Sequence, residues 1–332
     1  MKLLVFGMLL SLAVPGAQPK RPGVHTPGVR IPMSRLQPDA TFQIPGSPDW
    51  IAIDEFVWVS NKPRNNIARV DPRTNLLVGM VASGKSPCSG LAAAFGSLWV
   101  PNCGDSSLTR IELTTGVVTA TFPMTIADSE GGLTAGAGSI WMLVDRKGTL
   151  ARIDPATNKA VLTIRVAPGS YTAVFGEGAV WITSTETGSL TRVDPTSNKI
   201  AATISIGKRP RFLTAGGGFV WTLNQLDGSV TKVDVRTNRV VATIQVGVPG
   251  DGGDICYGEG SVWVTSLEFP LSRIDLKTNQ VVQQFVGVGG DAIRAGHGSI
   301  WLSNNQTSTL WRLDPKKVAA ITPIKIAAKQ AQ

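Results

Sequence analysis

Short apolar runs centred on a tryptophan recur seven times along the chain. The runs read EFVWVS, GSLWVP, GSIWML, GAVWIT, GFVWTL, GSVWVT and GSIWLS, with tryptophans at positions 58, 99, 141, 181, 221, 263 and 301. Successive tryptophans are 41, 42, 40, 40, 42 and 38 residues apart. A period of about forty residues indicates an array built from one repeated structural unit.

Each repeat predicts four β-strands. After the tryptophan strand comes a third strand such as LTRVD, then a turn of the form D-P-x-T-N, then a fourth strand such as VATIQV. Enrichment in β-branched residues favours strands, while proline and asparagine supply the backbone angles that a tight turn needs. Seven four-stranded units predict an all-β, seven-bladed β-propeller. The tryptophans occupy one position in every unit, which predicts that they pack between blades.

The sequence divides into four segments. Residues 1–17 combine a basic start, a short apolar run and small residues, which is typical of a signal peptide. Residues 18–38 form a basic, proline-rich linker, residues 39–326 the propeller and residues 327–332 a tail. The apolar run is too short to span a bilayer. We therefore expect an exported chain, periplasmic or extracellular, with no transmembrane segment.

A circular array must join its first and last blades. Residues 40–46, ATFQIPG, are an additional copy of the segment that ends each repeat, so an N-terminal strand could complete the last blade. Residues 319–326, AAITPIKI, offer a C-terminal alternative. The sequence leaves both open.

Composition narrows the partners. The formal net charge is +9, but the basic residues are not gathered on a helix or beside an aromatic surface. We therefore expect no nucleic-acid binding. The expected partner is an unknown protein or small molecule, and we expect a monomer.

The repeat also carries a family resemblance. The pattern W-[VIT]-x-[NS], followed by R-[IV]-D-P-x-T-N and an ATI-x-VG strand, resembles the YVTN-repeat propellers and the virginiamycin B (streptogramin) lyase-like family over residues 40–326. The resemblance implies loop histidines and magnesium-binding glutamates in the lyases. No histidine lies in the loops that lead into the first strands here. No glutamate occupies the aligned position after the tryptophan, which holds Asn61, Asn102, Val144, Ser184, Asn224, Ser266 and Asn304. The chain is thus expected to lack the lyase catalytic residues.

Two of the three cysteines are predicted to pair. A two-residue turn at Phe95-Gly96 would set Cys88 opposite Cys103 on neighbouring antiparallel strands, at a separation that suits a disulfide. An exported protein permits this oxidation. Cys256 lies in a predicted inner strand and is expected to be a buried free thiol.

Candidate site residues lie where propeller loops meet at the mouth of the central channel. The same register sets Glu130 opposite Asp145, and two facing carboxylates could hold a divalent cation such as calcium or magnesium. The predicted ligand-binding residues are Tyr171, Arg211, Asp254, Asp291 and Arg294. Salt bridges and solvated loop charges are the alternative interpretation of this group.

Three functions remain open from the sequence. The first is an exported, non-catalytic propeller that binds a partner protein or small ligand at the channel mouth. The second is a metal-dependent lyase or hydrolase, with Glu130, Asp145 and Asp254 as its best residues. The third is a structural protein of the cell envelope or surface. A propeller fold is compatible with each of them.

Overall fold

The computed structural model describes residues 22–88, 90–127 and 129–322. The predicted signal peptide and C-terminal tail lie outside the described residues, as do residues 18–21 and 323–326. Within the described ranges, no helix is long and apolar enough to cross a membrane.

Seven antiparallel sheets form a closed ring, which confirms the predicted all-β, seven-bladed β-propeller. Two strands precede the blades: β1 (Arg30–Pro32) and β2 (Ala40–Gln43). From the channel outwards, the blades are β3 (Pro48–Ile53), β4 (Val57–Asn61), β5 (Asn66–Asp71) and β6 (Leu76–Ala82) in blade 1; β7 (Ala92–Ala94), β8 (Ser97–Asn102), β9 (Ser107–Glu112) and β10 (Val118–Pro123) in blade 2; β11 (Leu133–Gly136), β12 (Ser139–Asp145), β13 (Thr149–Asp154) and β14 (Lys159–Arg165) in blade 3; β15 (Ser170–Gly176), β16 (Ala179–Ser184), β17 (Ser189–Asp194) and β18 (Lys199–Ser205) in blade 4; β19 (Pro210–Gly216), β20 (Phe219–Asn224), β21 (Ser229–Asp234) and β22 (Arg239–Gln245) in blade 5; β23 (Ile255–Gly258), β24 (Ser261–Val264), β25 (Leu271–Asp275) and β26 (Gln280–Val286) in blade 6; and β27 (Ile293–Gly296), β28 (Ser299–Asn304) and β29 (Thr309–Leu313) in blade 7.

Helical structure is sparse among the described residues. The α-helix α1 (Pro315–Ala320) follows blade 7, and 3-10 turns occupy Met33–Arg35, Lys62–Arg64 and Asn305–Thr307. Helix α1 begins where the other blades make a D-P-x-T-N turn. The Asp314 side chain caps it by accepting from the backbone N–H groups of Lys316 and Lys317.

The N-terminal strand closes the ring. Strand β2 pairs antiparallel with β29 as the fourth strand of blade 7, with Thr41 opposite Trp311. Phe42 is buried and its ring lies 6.0 Å from that of Trp301. Of the two closing segments that the sequence left open, the structure therefore uses residues 40–43. The described part of the C-terminal alternative ends helix α1 instead.

The repeated tryptophans form a buried layer, as predicted. All seven are at most 1% exposed. In five blades the indole N–H donates to the backbone carbonyl five residues earlier, as Trp141 does to Gly136. Each of these five rings thus satisfies its one polar atom within its own hairpin while its faces pack against the sheet core.

Basic residues on the third strands connect most of the blades to the next one. The Arg110 guanidinium lies 4.5 Å from the ring centre of Trp99, and its Nη1 donates to the Pro155 carbonyl and to Asn158 Oδ1 in the next blade. The same reach to a turn asparagine is made by Arg152, Arg192, Lys232 and Arg312. The turn asparagine therefore serves two purposes, since it also takes the left-handed conformation that ends the turn.

The segment that composition marked as a linker packs against the propeller. Strand β1 pairs in parallel with β26, which gives blade 6 a fifth strand. Ile31, Met33 and Leu36 are buried in the same apolar cluster as Phe285. Alternate apolar residues at 29, 31 and 33 explain this, because they put one face of an extended chain onto the blade edge. Linker composition did not indicate such packing.

The predicted disulfide is present. Cys88 and Cys103 are bonded, with their Cα atoms 5.9 Å apart. Near the turn the pairing follows the predicted register, with Ala92 opposite Trp99, but nearer the cysteines it shifts, with Pro87 opposite Asn102. The two cysteines still lie within bonding reach. Cys256 is a buried free thiol in β23, as expected, and burial raises its pKa.

Candidate functional site

One large cavity lies at the end of the channel where the inner strands begin. Its volume is about 1140 Å³, and residues from all seven blades line it. The blade connections converge there because every inner strand runs away from this end and every tryptophan strand returns to it. The polar and aromatic lining residues used below are Asp49, Trp50, Glu130, Tyr171, Arg211, Phe212, Asp251, Asp254 and Asp291.

Arg211 is the centre of the largest polar cluster in this cavity. Its residue is 7% exposed, and its Nη2 donates to Glu130 Oε2 and to the Tyr171 hydroxyl, both at 2.5 Å. Its Nη1 donates to Gln225 Oε1 at 2.9 Å and to Asp251 Oδ1 at 3.2 Å. These four partners come from blades 3, 4, 5 and the loop leading into blade 6. The predicted ligand residue is thus a bridge between blades.

Aromatic rings support the Arg211 cluster from below. Its guanidinium lies 4.8 Å from the Tyr171 ring centre and 5.1 Å from that of Phe212. Burial, followed by the charge of Glu130, raises the pKa of Tyr171 to about 12. Tyr171 is therefore neutral in the physiological range, and its hydroxyl can donate to the Glu130 carboxylate.

A second charge pair lies deeper in the funnel. Asp254 is 3% exposed and forms a salt bridge with Arg294 Nη1, while it also accepts from the backbone N–H groups of Ile255 and Ile293. Burial raises the pKa of Asp254, and Arg294 opposes that change. Arg294 lies over Trp50, 5.6 Å from the ring centre. These residues separate the mouth cavity from a smaller one of about 250 Å³ between the inner strands.

Two further carboxyl groups face the cavity without a cationic partner at bonding distance among the described residues. Asp49 lies at the start of β3; burial and then the charges of Asp291, Glu130 and Asp254 raise its pKa well above the ordinary value. The Asp291 carboxyl accepts from Asn305 Nδ2 at 2.9 Å, and burial, with Asp254 and Glu130, raises its pKa to about 7. Both side chains are only part-exposed, and the exposed part is cavity wall.

The predicted cation site is not assembled as the sequence register implied. Glu130 is bound to Arg211, whereas Asp145 accepts from the backbone N–H of Thr149 within its own hairpin. A divalent cation held by both would have to compete with the Arg211 guanidinium. Within the described ranges, no group of three or more histidine, cysteine, aspartate or glutamate side chains is placed to hold a metal ion. A calcium or magnesium ion at Glu130 and Asp145 stays a prediction.

The structure thus brings five predicted ligand residues, Tyr171, Arg211, Asp254, Asp291 and Arg294, to the mouth cavity or its floor. Sequence reasoning missed Asp49 and Trp50. Asp49 lies at the start of β3, at the position that Asp291 occupies just before β27 in blade 7, so an alignment of blade positions could have found this part of the site. His297 lies at the opposite end, where its Nε2 is 2.7 Å from the Asp54 carbonyl oxygen.

Known proteins share this architecture. No family model and no curated protein sequence matches the chain. A streptogramin B lyase structure matches at a TM-score of 0.68 and 17% identity, over 82% of this chain and 96% of the other. A virginiamycin B lyase from Staphylococcus aureus matches at a TM-score of 0.70 and 15% identity, over 82% and 98%. This chain has the fold of virginiamycin B lyase.

A third structure matches with the same coverage. It is a catalytically inactive variant of the virginiamycin B lyase from Staphylococcus aureus with quinupristin, at a TM-score of 0.68 and 15% identity over 82% of this chain and 98% of the other. Identities this low show the fold alone. The fold expected from the lyase-like resemblance is therefore confirmed, while the resemblance to YVTN repeats and the lack of the lyase catalytic residues stay predictions.

Proposed function

We propose that this protein is an exported, non-catalytic propeller whose mouth cavity binds a small polar molecule. The cavity is the observation that supports this proposal. Its volume of about 1140 Å³ reaches the size of known small-molecule sites, which are roughly 300–1,000 Å³. It combines aromatic walls from Trp50, Tyr171 and Phe212 with polar groups from every blade, which suits a polar ligand.

Rigid support also favours binding. Arg211 and Arg294 are held by salt bridges and by aromatic rings, so the cavity wall is ordered before a ligand arrives. A preformed wall lowers the entropy that binding costs. The sequence places no histidine in the loops around this cavity, so the expected lyase general base has no equivalent there.

A lyase or hydrolase is the second candidate. The raised pKa values of Asp49 and Asp291 are the observation that favours it, since a carboxyl group titrating near neutrality can act as a general acid or base. An enzyme would convert the bound molecule into a product, whereas the non-catalytic propeller would only bind it. The two are separated by incubating each confirmed ligand with the protein and following it by mass spectrometry.

The binding proposal is tested on the mature chain with a panel of small polar molecules. Ligand-observed NMR and thermal shift would detect binding, and Thr185→Trp would fill the cavity that Thr185 lines. The control is Thr196→Trp, on an exposed turn at the opposite end of the molecule. We expect binding to be lost in the first variant and kept in the second. Equal responses in both variants, or no response from any compound, would contradict the proposal.

A further inference from the structure

Two arginines of the mouth cavity, Arg209 and Arg211, are paired with carboxylates of the protein. Arg211 contacts Glu130 and Asp251, at 2.5 and 3.2 Å, and Arg209 contacts Asp251 at 2.8 Å. These two arginines and two carboxylates cancel in charge. A ligand anion would have to displace a carboxylate from Arg211. Arg211 is therefore poorly placed to bind an anionic ligand.

The deeper pair is also self-contained. Asp254 and Arg294 form a salt bridge, and the remaining acceptor capacity of Asp254 is used by two backbone N–H groups. The Arg294 guanidinium covers Trp50. This pair closes the floor of the cavity and contributes no net charge to it.

Asp49 and Asp291 belong to neither of these charge pairs. Asp49 receives no hydrogen bond or ion pair from the residues that the structure describes, and Asp291 receives neutral donors, Asn305 Nδ2 and the Gly253 N–H. The charge of Lys62, an exposed side chain at the rim, acts in the opposite direction and lowers the pKa of Asp49. The charges of Glu130 and Asp254 raise the pKa values of both aspartates, and Arg146 also lines the cavity. Two enclosed carboxyls without a matching cation are unfavourable in the empty protein.

An external cation would remove this cost. Resting on the proposed binding function, we infer that the ligand carries an ammonium group, and that Asp49 of blade 1 and Asp291 of blade 7 receive it on the wall opposite Arg211. An ammonium group pairs with carboxylates through charge-assisted hydrogen bonds or, if fully substituted, through charge alone. The organic part of the ligand would lie in the centre of the cavity, beside Trp50 and Phe212.

This inference predicts that ligand affinity depends on pH and that binding releases a proton. Burial and the charges of neighbouring carboxylates raise the pKa values of Asp49 and Asp291, so near neutral pH the pair holds a proton that an arriving ammonium group displaces. Binding should therefore strengthen as pH rises from 6 to 8 and should release a proton. A neutral hydroxyl ligand would give the opposite trend, because it would gain most from a protonated carboxyl as donor.

Isothermal titration calorimetry on the mature chain tests this with two matched probe pairs. Choline is compared with its uncharged carbon analogue 3,3-dimethyl-1-butanol, and 1,4-diaminobutane with 1,4-butanediol. We expect at least one ammonium probe to bind about tenfold more tightly than its neutral partner at pH 8. Its affinity should fall about tenfold at pH 6, and heats in two buffers of different ionisation enthalpy should show proton release.

Charge-matched variants locate the effect. Asp291→Asn and, separately, Asp49→Asn should each weaken the ammonium probe about tenfold and reduce the proton release. Glu186→Gln removes one negative charge from the exposed rim of the same cavity and should change affinity less than threefold. Melting curves of all three variants would show that they are folded.

The outcomes separate the two proposals. Neutral or anionic panel compounds that bind in a Thr185-dependent manner, while both ammonium probes do not, would overturn the ammonium inference and leave the binding function intact. Ammonium binding that ignores Asp49, Asp291 and pH would overturn the inference as well. Failure of every compound to bind would reject the binding function itself.

Discussion

Arg211 of blade 5 and Glu130 of blade 3 meet across the channel mouth, 2.5 Å apart, although 81 residues separate them in the chain. Asp251 completes the bridge from the loop leading into blade 6. The fold brings these residues together because all blade connections at this end point towards one axis. The bridge therefore reports on the integrity of the ring as well as on the site.

Removing Arg211 should destabilise the protein. We expect Arg211→Ala to lower the free energy of unfolding by about 2–4 kcal/mol, because Glu130 and Asp251 would be left close together beside Tyr171 without their shared cation. Chemical denaturation would measure the change. Arg209→Ala, which removes a half-exposed arginine from the same cluster, should cost less than about 1 kcal/mol. Similar losses in both variants would show that the bridge has no special role.

Stability should fall as pH rises towards neutrality. The pKa of Asp291 is raised to about 7, against 3.8 for an ordinary aspartate, so the folded chain holds this proton more tightly than the unfolded chain. The associated stability is complete below about pH 4 and is lost as pH rises through 7. Asp291→Asn should remove on the order of 2 kcal/mol of this decline, measured by denaturation between pH 4.5 and 7.5.

An aspartate with the opposite shift provides the control. The Ala156 N–H and the Thr157 hydroxyl lower the pKa of Asp154 in its turn. Its contribution is present above about pH 4 and is lost as pH falls through its folded pKa. Asp154→Asn should therefore destabilise the protein at neutral pH and leave the acidic end unchanged. Two variants with the same pH trend would contradict this assignment.

The disulfide should leave one free thiol in the oxidised chain. The sequence has three cysteines, and Cys88 and Cys103 are bonded, so thiol titration of the denatured, unreduced protein should find one group per chain, Cys256. Replacing both bonded cysteines with serine should cost about 3 kcal/mol, as expected for a loop closed over 15 residues. Reductant should lower the melting temperature of the natural chain and not that of the double variant.

Ile31 should matter as much as a blade residue. It is fully buried in β1, against the edge of blade 6. Ile31→Ala should lower the free energy of unfolding by about 2–4 kcal/mol, the usual cost of truncating a buried aliphatic side chain. Ser34→Ala, on the exposed side of the same segment, should change it by less than about 0.5 kcal/mol. Equal and small effects would indicate that the segment is a linker after all.

Repetition made the fold predictable. Seven tryptophans at one spacing determine the blade number, and the D-P-x-T-N turns locate the strand order within each blade. The paired cysteines followed from hairpin register alone. Ile31 escaped prediction because proline and basic neighbours outweighed its alternation with Val29 and Met33, so composition hid a strand that packs on one face.

The sequence predicted where the site residues lie, but not which side chains form ion pairs there. Strand order puts Arg211, Asp254 and Asp291 at one end of the molecule. Register within a blade paired Glu130 with Asp145, but the structure pairs Glu130 with Arg211 two blades away. Such partners depend on side-chain reach across the channel, which no local pattern records. Asp49 was missed for the same reason, since only its surroundings distinguish it from an ordinary loop aspartate.

The contacts that the basic side chains of the third strands make between blades all run in one direction around the ring. In most blades, the basic side chain on the third strand contacts the turn of the following blade in the chain. Neighbouring blades are therefore joined head to tail. Among the described residues, this contact is missing once, between blades 6 and 7. There Arg273 donates to Gln283 within its own blade, and helix α1 replaces the turn that it would contact. Gln283 connects blades 6 and 7 instead, because its side-chain amide donates to the carbonyls of Val318 and Ile321. The missing contact lies between blades 6 and 7, the two blades whose outer edges β1 and β2 extend. The N-terminal strands therefore reinforce the ring at the one blade interface that lacks the basic side-chain contact.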